Sequence, residues 1–286
     1  MRILVTGSNG QLGTQFKEVS KFCIDHKFYF ATRYEVDITK PKVIEKAISD
    51  NRIDCIINCA SYTGVDSAED NSADASAINA KGAENLAAAA AKLDVFLVHF
   101  STDYLFDGKS NIPYNENDTP NPKTAYGKSK YAGEKAILLN LKKGLIIRTA
   151  WLYSPFGNNF VKTIYKKGKD KKHLKVVCDQ VGSPTYSYDL AHTVMKILPE
   201  AVRATDRVEV YNYSNEGVAS WYDMAVAIAD IKNLSCIIEP VMSEQFPTKA
   251  IRPHYSLLNK NKIKSKFNLQ IPHWRHSLEK CLKKIK

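Results

Sequence analysis

The chain has 286 residues, 44% of them hydrophobic, with 13 Gly and 11 Pro, an ordinary globular composition long enough for one large domain or two interleaved lobes. No apolar run approaches the roughly 18 residues that cross a bilayer, and no small-residue cleavage site follows Ile3-Leu4-Val5, so neither a membrane span nor a signal peptide is expected. The net charge of +11 is densest over 166–172 and at Lys283, Lys284 and Lys286, without interleaved aromatics or an arginine stripe; it reads as solvated surface that attracts anionic substrates, not as a nucleic-acid site.

Short apolar runs alternate with helix-like segments through the first half, the pattern of a parallel sheet covered on both faces. Residues 2–6 read as a strand and 10–23 as its crossover helix; 28–32 is a second strand, 40–51 a helix and 53–58 a third strand. The Ala-rich segment 74–92, with Leu86 and Ala90 on one face, predicts one long helix, and 95–101 a fourth strand. A loop with Asp107-Gly108, Pro113, Pro120 and Pro122 leads to a helix carrying Tyr126, and 145–148 is the fifth strand. Beyond Trp151 the alternation loosens: 176–178 and 208–213 read as strands, 221–230 as a helix, and 239–261, with Pro240, Pro247 and Pro253, as irregular. The expected fold is α/β, a doubly wound, Rossmann-like parallel sheet with a smaller C-terminal α/β substrate lobe. Residues 1–150 form the dinucleotide-binding domain, and 151–286 mainly the substrate lobe, interleaved with returning elements of the sheet. The six cysteines contain no C-x-x-C, and Cys55 and Cys59 flank an apolar strand; they read as free thiols and point to a reduced, cytoplasmic compartment.

Three motifs carry chemistry. Gly7-Ser8-Asn9-Gly10-Gln11-Leu12-Gly13 follows a strand and opens a helix, where Gly7 permits a tight turn, Gly10 lets backbone approach a pyrophosphate and Gly13 lets helix pack on strand. Arg33, at the end of the second strand where no acid stands, reads as a partner for a 2′-phosphate, which makes NADPH the expected cofactor with NADH as the open alternative. Ala60-Ser61-Tyr62-Thr63 should cover the pyrophosphate and ribose. Thr102 ends the fourth strand, and Tyr126 and Lys130 lie one helical turn apart on one face. There the Tyr126 phenol supplies a proton to an emerging alkoxide, Thr102 hydrogen-bonds the same oxygen, and Lys130 lowers the Tyr126 pKa and holds the nicotinamide ribose.

Glycine turn, hydroxyl strand end and Tyr-x-x-x-Lys helix, in that order, resemble the short-chain dehydrogenase/reductase superfamily, with the G-x-x-G-x-x-G spacing of its extended members. Residues 101–108, 126–134, 148–153, 157–160, 179–185 and 250–256 resemble the dTDP-4-dehydrorhamnose reductases more closely, in the family's order. That resemblance implies reduction of the C4 ketone of a dTDP-linked 6-deoxyhexulose. It also implies that Asp37 and Ile38 contact adenine, that Thr102, Asp103 and Trp151 touch the sugar, and that Arg252 meets the diphosphate.

Some members of the family bridge a dimer through Mg²⁺ held by glutamates, one of them two residues past the last glycine. Gln15 stands there, so no metal is expected and a monomer or weak homodimer is. Asp66, Glu69 and Asp70 read as a solvated helix start. The alternatives are a reductase or epimerase of another nucleotide-linked 4-ketosugar, and a non-catalytic NADP-binding regulatory subunit resembling the methionine adenosyltransferase beta subunit. A nucleic-acid binder ranks last.

Overall fold

The computed structural model describes residues 1–285. The first half runs β1 (Arg2–Thr6), α1 (Gln11–Ser20), β2 (Lys27–Ala31), α2 (Pro41–Asn51), β3 (Cys55–Asn58), α3 (Val65–Asp70), α4 (Ser72–Ser76), a π-turn (Ala77–Lys81), α5 (Gly82–Lys92), β4 (Phe96–Thr102), α6 (Ala125–Asn140) and β5 (Gly144–Thr149). The second half adds β6 (Leu152–Tyr153), α7 (Phe160–Asp170), β7 (His173–Val177), β8 (Val181–Gly182), β9 (Thr185–Tyr186), α8 (Ser187–Ala204) and β10 (Val208–Tyr213). It ends with β11 (Ala219–Ser220), α9 (Trp221–Ile231), β12 (Ile237–Val241), α10 (Asn261–Phe267) and α11 (Trp274–Lys283).

The main sheet has the order β10-β5-β4-β3-β1-β2, and every neighbouring pair is parallel. Buried on both faces, its strands alternate their side chains between two cores. Ile3, Val5, Ile57, Val98 and Ile147 pack with Phe16 of α1 and Leu190 and Val194 of α8. Leu4, Ile56, Leu97 and Ile146 pack with Ile44 of α2, Leu86 of α5 and Ile137 of α6. A third core, around Tyr153, Tyr186, Ile228, Trp274 and Leu278, is built wholly from the chain after Trp151. The connections reverse direction between β1 and β3, which opens a crevice at the C-terminal ends of those strands, the place where such sheets take ligands.

The expected helix over 74–92 is present, running from Ser72 to Lys92, but it winds through a π-turn. Asn79 is pulled inward at the π-turn, where its amide finds four polar partners, and an inserted residue of this kind is how a helix re-aims a side chain toward a site. The stretch 239–261 is more ordered than its prolines suggest. β12 pairs with β7, and the residues after it form an extended strap, with Val181 N–H donating to His254 O at 2.7 Å and Tyr114 N–H to Leu257 O at 2.8 Å. Proline interrupts ladders but does not prevent extended backbone from bonding on its other residues. Helices α7, α8, α10 and α11 have no counterpart among the expected elements, and the lysines of 166–172 lie on the exposed side of α7 and just beyond it.

Helix α6 is docked by polar ties. Thr124 caps its N-terminus by accepting from Gly127 N–H at 3.0 Å, and Arg148 of β5 grips Glu134 through Nε–Oε1 (3.0 Å) and Nη2–Oε2 (2.9 Å). That pair is buried, with side-chain exposures of 5% and 1%, and Arg148 also donates to Glu116 O at 3.0 Å. Removing one partner leaves an uncompensated buried charge. We therefore expect Glu134→Ala to cost about 3–5 kcal/mol of stability in urea unfolding, and the double replacement Glu134→Leu/Arg148→Met to recover most of that loss. Equal losses in the single and double variants would show that the pair itself is not what holds the helix.

Candidate active site

The glycine turn lies at the crevice. Gly7 has φ +62°, and a Cβ there would stand 2.6 Å from Ala60 N, so the turn presses directly on the segment leaving β3. At Gly13 a Cβ would fall 2.3 Å from Gly7 O, which fixes α1 close under the turn. Helix α1 starts at Gly10 with no side-chain cap, so its first-turn N–H groups face the crevice without helical partners, and the Ser8 hydroxyl is buried with no partner. These features fit a dinucleotide pyrophosphate. Two of the expected contacts are confined to the main chain. The Gln11 side chain is engaged by Leu152 O (3.2 Å), Ser154 Oγ (3.1 Å) and Asn159 Nδ2 (2.7 Å), and Leu12 is buried in the first core.

At the end of β2, Arg33 is exposed, but an acid stands nearer than the sequence suggested: Glu35 Oε2 accepts from Thr32 N–H at 2.7 Å. Asp37 is engaged in its own turn, accepting from Thr39 N–H (3.0 Å) and Thr39 Oγ1 (2.7 Å); the Thr39 hydroxyl and, more weakly, Arg33 hold its carboxyl below the usual range. Ile38 is buried in the second core. The Asp37 Oδ2 oxygen remains available to accept from a ligand. Beyond β3, Asn79 ties down the 60–63 loop by accepting from Ser61 Oγ (2.8 Å) and Tyr62 N–H (2.9 Å), and by donating to Tyr62 O (3.0 Å) and Ser129 Oγ (3.0 Å) on α6. Thr63 is exposed at the end of that loop.

Thr102, Tyr126 and Lys130 converge on the end of β4. Thr102 Oγ1 donates to Asp103 Oδ1 at 3.1 Å, accepts from Tyr104 N–H at 3.2 Å, and lies near enough to the Tyr126 hydroxyl to favour its phenolate. Burial outweighs that influence and pushes the Tyr126 pKa up to about 12, with the Asp103 charge adding to the rise. Lys130 Nζ donates to Phe100 O at 2.6 Å, and burial lowers the lysine's pKa to about 8 against the opposing pull of Glu134. The lysine amine is thus tied to the main chain of β4 close to Thr102.

The substrate side holds Asp103, Trp151 and Arg252. Asp103 is buried, its Oδ2 has no hydrogen-bond partner, and burial raises its pKa to about 6 against the pull of the Ser256 and Thr102 hydroxyls. Trp151 sits at φ +47° with one face stacked on Trp221 at 3.6 Å, and Phe160 leans on Trp221 at 4.6 Å; the Trp151 indole also packs close to Gly182 and is half-buried. Arg252 is already gripped by Asp66 through Nη2–Oδ2 (2.7 Å) and Nη1–Oδ1 (3.2 Å). Asp66 also accepts from Ala250 N–H (3.1 Å), Asp70 pairs with Lys249, and Glu69 accepts from Ala125 N–H (2.9 Å) at the start of α6. The acidic cluster read as a solvated helix start is thus a clamp between the strap and the helix of Tyr126.

Gln15, where a family glutamate would stand, is fully buried between α1 and α8 with Ser187 Oγ at 3.4 Å from its Oε1. Gln15 thus offers an amide, not a carboxylate, at the position of the family's bridging glutamate, and among the described residues of the chain no group of three or more His, Cys, Asp or Glu could hold a metal ion. No helix among the described residues is long and apolar enough to cross a membrane.

A parallel sheet with a glycine turn at its switch point, and Thr, Tyr and Lys gathered at the end of β4, define an extended short-chain dehydrogenase/reductase. The family model described as "RmlD substrate binding domain" matches residues 1–286. The chain is 36% identical over 289 residues to the dTDP-4-dehydrorhamnose reductase of Aggregatibacter actinomycetemcomitans, covering 97% of each. Two solved structures are similar to it: the dTDP-4-dehydrorhamnose reductase of Clostridium acetobutylicum (TM-score 0.94, 38% identity, 99% of both chains), and that of Bacillus anthracis in complex with NADP (TM-score 0.92, 38% identity, 99% and 98% covered). The chain belongs to the dTDP-4-dehydrorhamnose reductase family.

The clamp has a measurable consequence. An ion pair this exposed, with its added main-chain bond, is worth about 1 kcal/mol, or roughly fivefold in the population of the opened strap. Asp66→Ala should therefore speed tryptic cleavage after Lys249 about fivefold in the ligand-free protein. Cleavage at the wild-type rate would mean that the strap is held by other contacts.

Proposed function

We propose that this protein reduces the C4 ketone of a dTDP-linked 4-dehydro-6-deoxyhexose to the alcohol of a dTDP-L-rhamnose-type sugar, using NADPH. The nicotinamide, when bound, supplies hydride to the carbonyl carbon. The observation that carries the reading is the meeting of Thr102, the Tyr126 hydroxyl and Lys130 at one strand end beside the glycine turn. Residues 1–150 serve the cofactor, and the core built after Trp151 serves the nucleotide sugar.

The chain's own groups divide the work. With its pKa near 12, Tyr126 is fully protonated at neutral pH, the state needed to donate to an oxygen gaining negative charge. Thr102 hydrogen-bonds the same oxygen and limits where it sits. Trp151 offers its indole to the apolar side of a 6-deoxy sugar, with Trp221 backing it. Arg252 meets the diphosphate once the anion displaces Asp66 from its planar fork, an exchange of one bidentate partner for another. Arg33 favours the 2′-phosphate, and the bond between Glu35 and Thr32 N–H keeps that carboxylate engaged away from it. The chemistry proceeds without a metal, because Gln15 offers an amide where a hard cation needs a carboxylate.

Following NADPH oxidation with dTDP-4-dehydro-6-deoxy-L-mannose tests this reading. Tyr126→Phe should lower kcat by about 10²–10⁴ while leaving NADPH binding nearly unchanged, since the hydroxyl donates a proton and does little to hold the dinucleotide. In the same assay the wild type should keep its activity after exhaustive EDTA treatment. Wild-type turnover by the Phe variant would remove Tyr126 from the chemistry, and a loss with EDTA that Mg²⁺ restores would contradict the metal-free reading.

Arg33→Ala should weaken NADPH binding by about 1.5–3 kcal/mol, the worth of a charge-assisted hydrogen bond, and leave NADH binding alone. Parallel losses for both cofactors would show that Arg33 does not read the 2′-phosphate.

A further inference from the structure

Behind Lys130 lies a chain of buried polar groups that the catalytic reading does not use. Asn58, at the end of β3, and His99, within β4, are each 2% exposed. Ala60 N–H donates to Asn58 Oδ1 at 3.1 Å, and a main-chain amide can only donate, so the atom it meets is the amide oxygen. Thr6 Oγ1 donates to the same oxygen at 2.7 Å. The Asn58 amide is therefore fixed with Nδ2 toward His99 Nδ1, 2.9 Å away. An amide nitrogen presents only hydrogens, so Nδ1 is the bare ring nitrogen and the proton of the neutral imidazole stands on Nε2. That Nε2–H faces Lys130 Nζ at 3.5 Å, while Nζ donates to Phe100 O at 2.6 Å.

We propose that Asn58 and His99 are positioning residues for Lys130: through one enforced imidazole tautomer they hold its amine against the sheet and decide how readily it takes a proton. An ammonium has no lone pair and would oppose the Nε2–H, whereas a neutral amine accepts from it and still donates to Phe100 O. The imidazole cannot escape by charging, because burial and the Lys130 charge drive its pKa well below the ordinary 6.5. The other charged groups near Lys130 are otherwise engaged. Glu134, one turn on, favours the ammonium but is gripped by Arg148. Tyr126 stays protonated, and Asp103 bonds Thr102 on the cleft side. On α3, Glu69 faces Ala125 N–H and Asp66 faces Arg252; at the end of the π-turn Lys81 pairs with Glu84, and Asn79 and Ser129 are uncharged. His99 is thus the ionisable group that meets the amine directly from behind.

The inference rests on Lys130 serving the cofactor, and its tests do not depend on turnover. Lys130 loses its charge as pH rises through about 8, so NADPH affinity, followed by nicotinamide fluorescence without sugar, should fall across that point. In Asn58→Asp one carboxylate oxygen keeps Thr6 and Ala60, and the other draws the ring proton to Nδ1. The bare Nε2 then faces Lys130, and with the added negative charge the midpoint should move up by about one pH unit or more. His99→Leu removes the opposing N–H without adding charge and should move it the same way by less. In ¹⁵N-histidine spectra, wild-type His99 should remain the neutral Nε2–H tautomer throughout the neutral range. An Nδ1–H tautomer, an imidazolium titrating near its ordinary value, or unmoved midpoints in both variants would overturn the proposal, and the spectra alone decide it if neither variant folds. Expected spectra and midpoints in a wild type that reduces no sugar would uphold the pair's role and refute only the reductase reading.

Discussion

Helix α6 lies on the sheet through hydrogen bonds and charges rather than an apolar stripe, and the reaction centre depends on that docking. Its inward face carries Ser129, Lys130 and Glu134, each tied to a different element: Asn79 of the π-turn, Phe100 of β4 and Arg148 of β5. The Thr124 cap and the Glu69 contact to Ala125 N–H fix its first turn. An apolar stripe tolerates small rotations and slides, whereas hydrogen bonds lose most of their worth beyond a few tenths of an ångström or a modest angle. Helix α6 therefore has one setting on the sheet, which delivers the Tyr126 hydroxyl to Thr102. The clamp of α3 extends the same constraint to the strap, so the residues proposed to meet the diphosphate and the residue proposed to donate the proton share a support.

Burial governs the ionisation of the site. It pushes Tyr126 up, lowers Lys130 to about 8 and raises Asp103 to about 6, each by disfavouring the charged form. The cleft thus holds a fully protonated phenol, a weakly basic amine and a carboxyl that titrates below neutrality. For a reductase this suits proton donation better than a standing phenolate, because the alkoxide it serves is a strong base that needs little help from an acidified donor. The Lys130 amine is held at the sheet by Phe100 O.

The fold was largely legible in the sequence because parallel strands buried on both faces leave nearly continuous apolar runs, as in 53–58 and 95–101, and because a glycine turn marks the first crossover. Local pattern failed where tertiary contacts took over. Alanine-rich 74–92 has the propensity of a straight helix, and the π-turn follows from the partners offered to the Asn79 amide. The prolines of 239–261 hid an extended strap whose bonds come from residues far away in sequence. The one-turn spacing of Tyr126 and Lys130 could be read from the sequence, but the supports of the candidate site could not. Glu134 does stand one turn beyond Lys130, and Arg148 and His99 are polar residues inside apolar strands, a sign that each has a buried partner. Which partner each one has is decided by the fold. The stacking of Trp221 on Trp151 left no trace in either local sequence.

The account stands on hydride passing from nicotinamide to the C4 carbon of the sugar while the chain supplies the proton to oxygen. Running the reaction with NADPH deuterated at the nicotinamide C4, and reading the isolated nucleotide sugar by mass spectrometry and proton NMR, tests this most directly. The account predicts one deuterium on the sugar C4, and none on carbon when the label is offered only as D₂O in a brief reaction. Label entering C3 or C5 from solvent without oxidation of NADPH would indicate an epimerase. A sugar returned unlabelled and unreduced, from a protein that binds NADPH, would indicate a binding subunit, and either result would contradict the account.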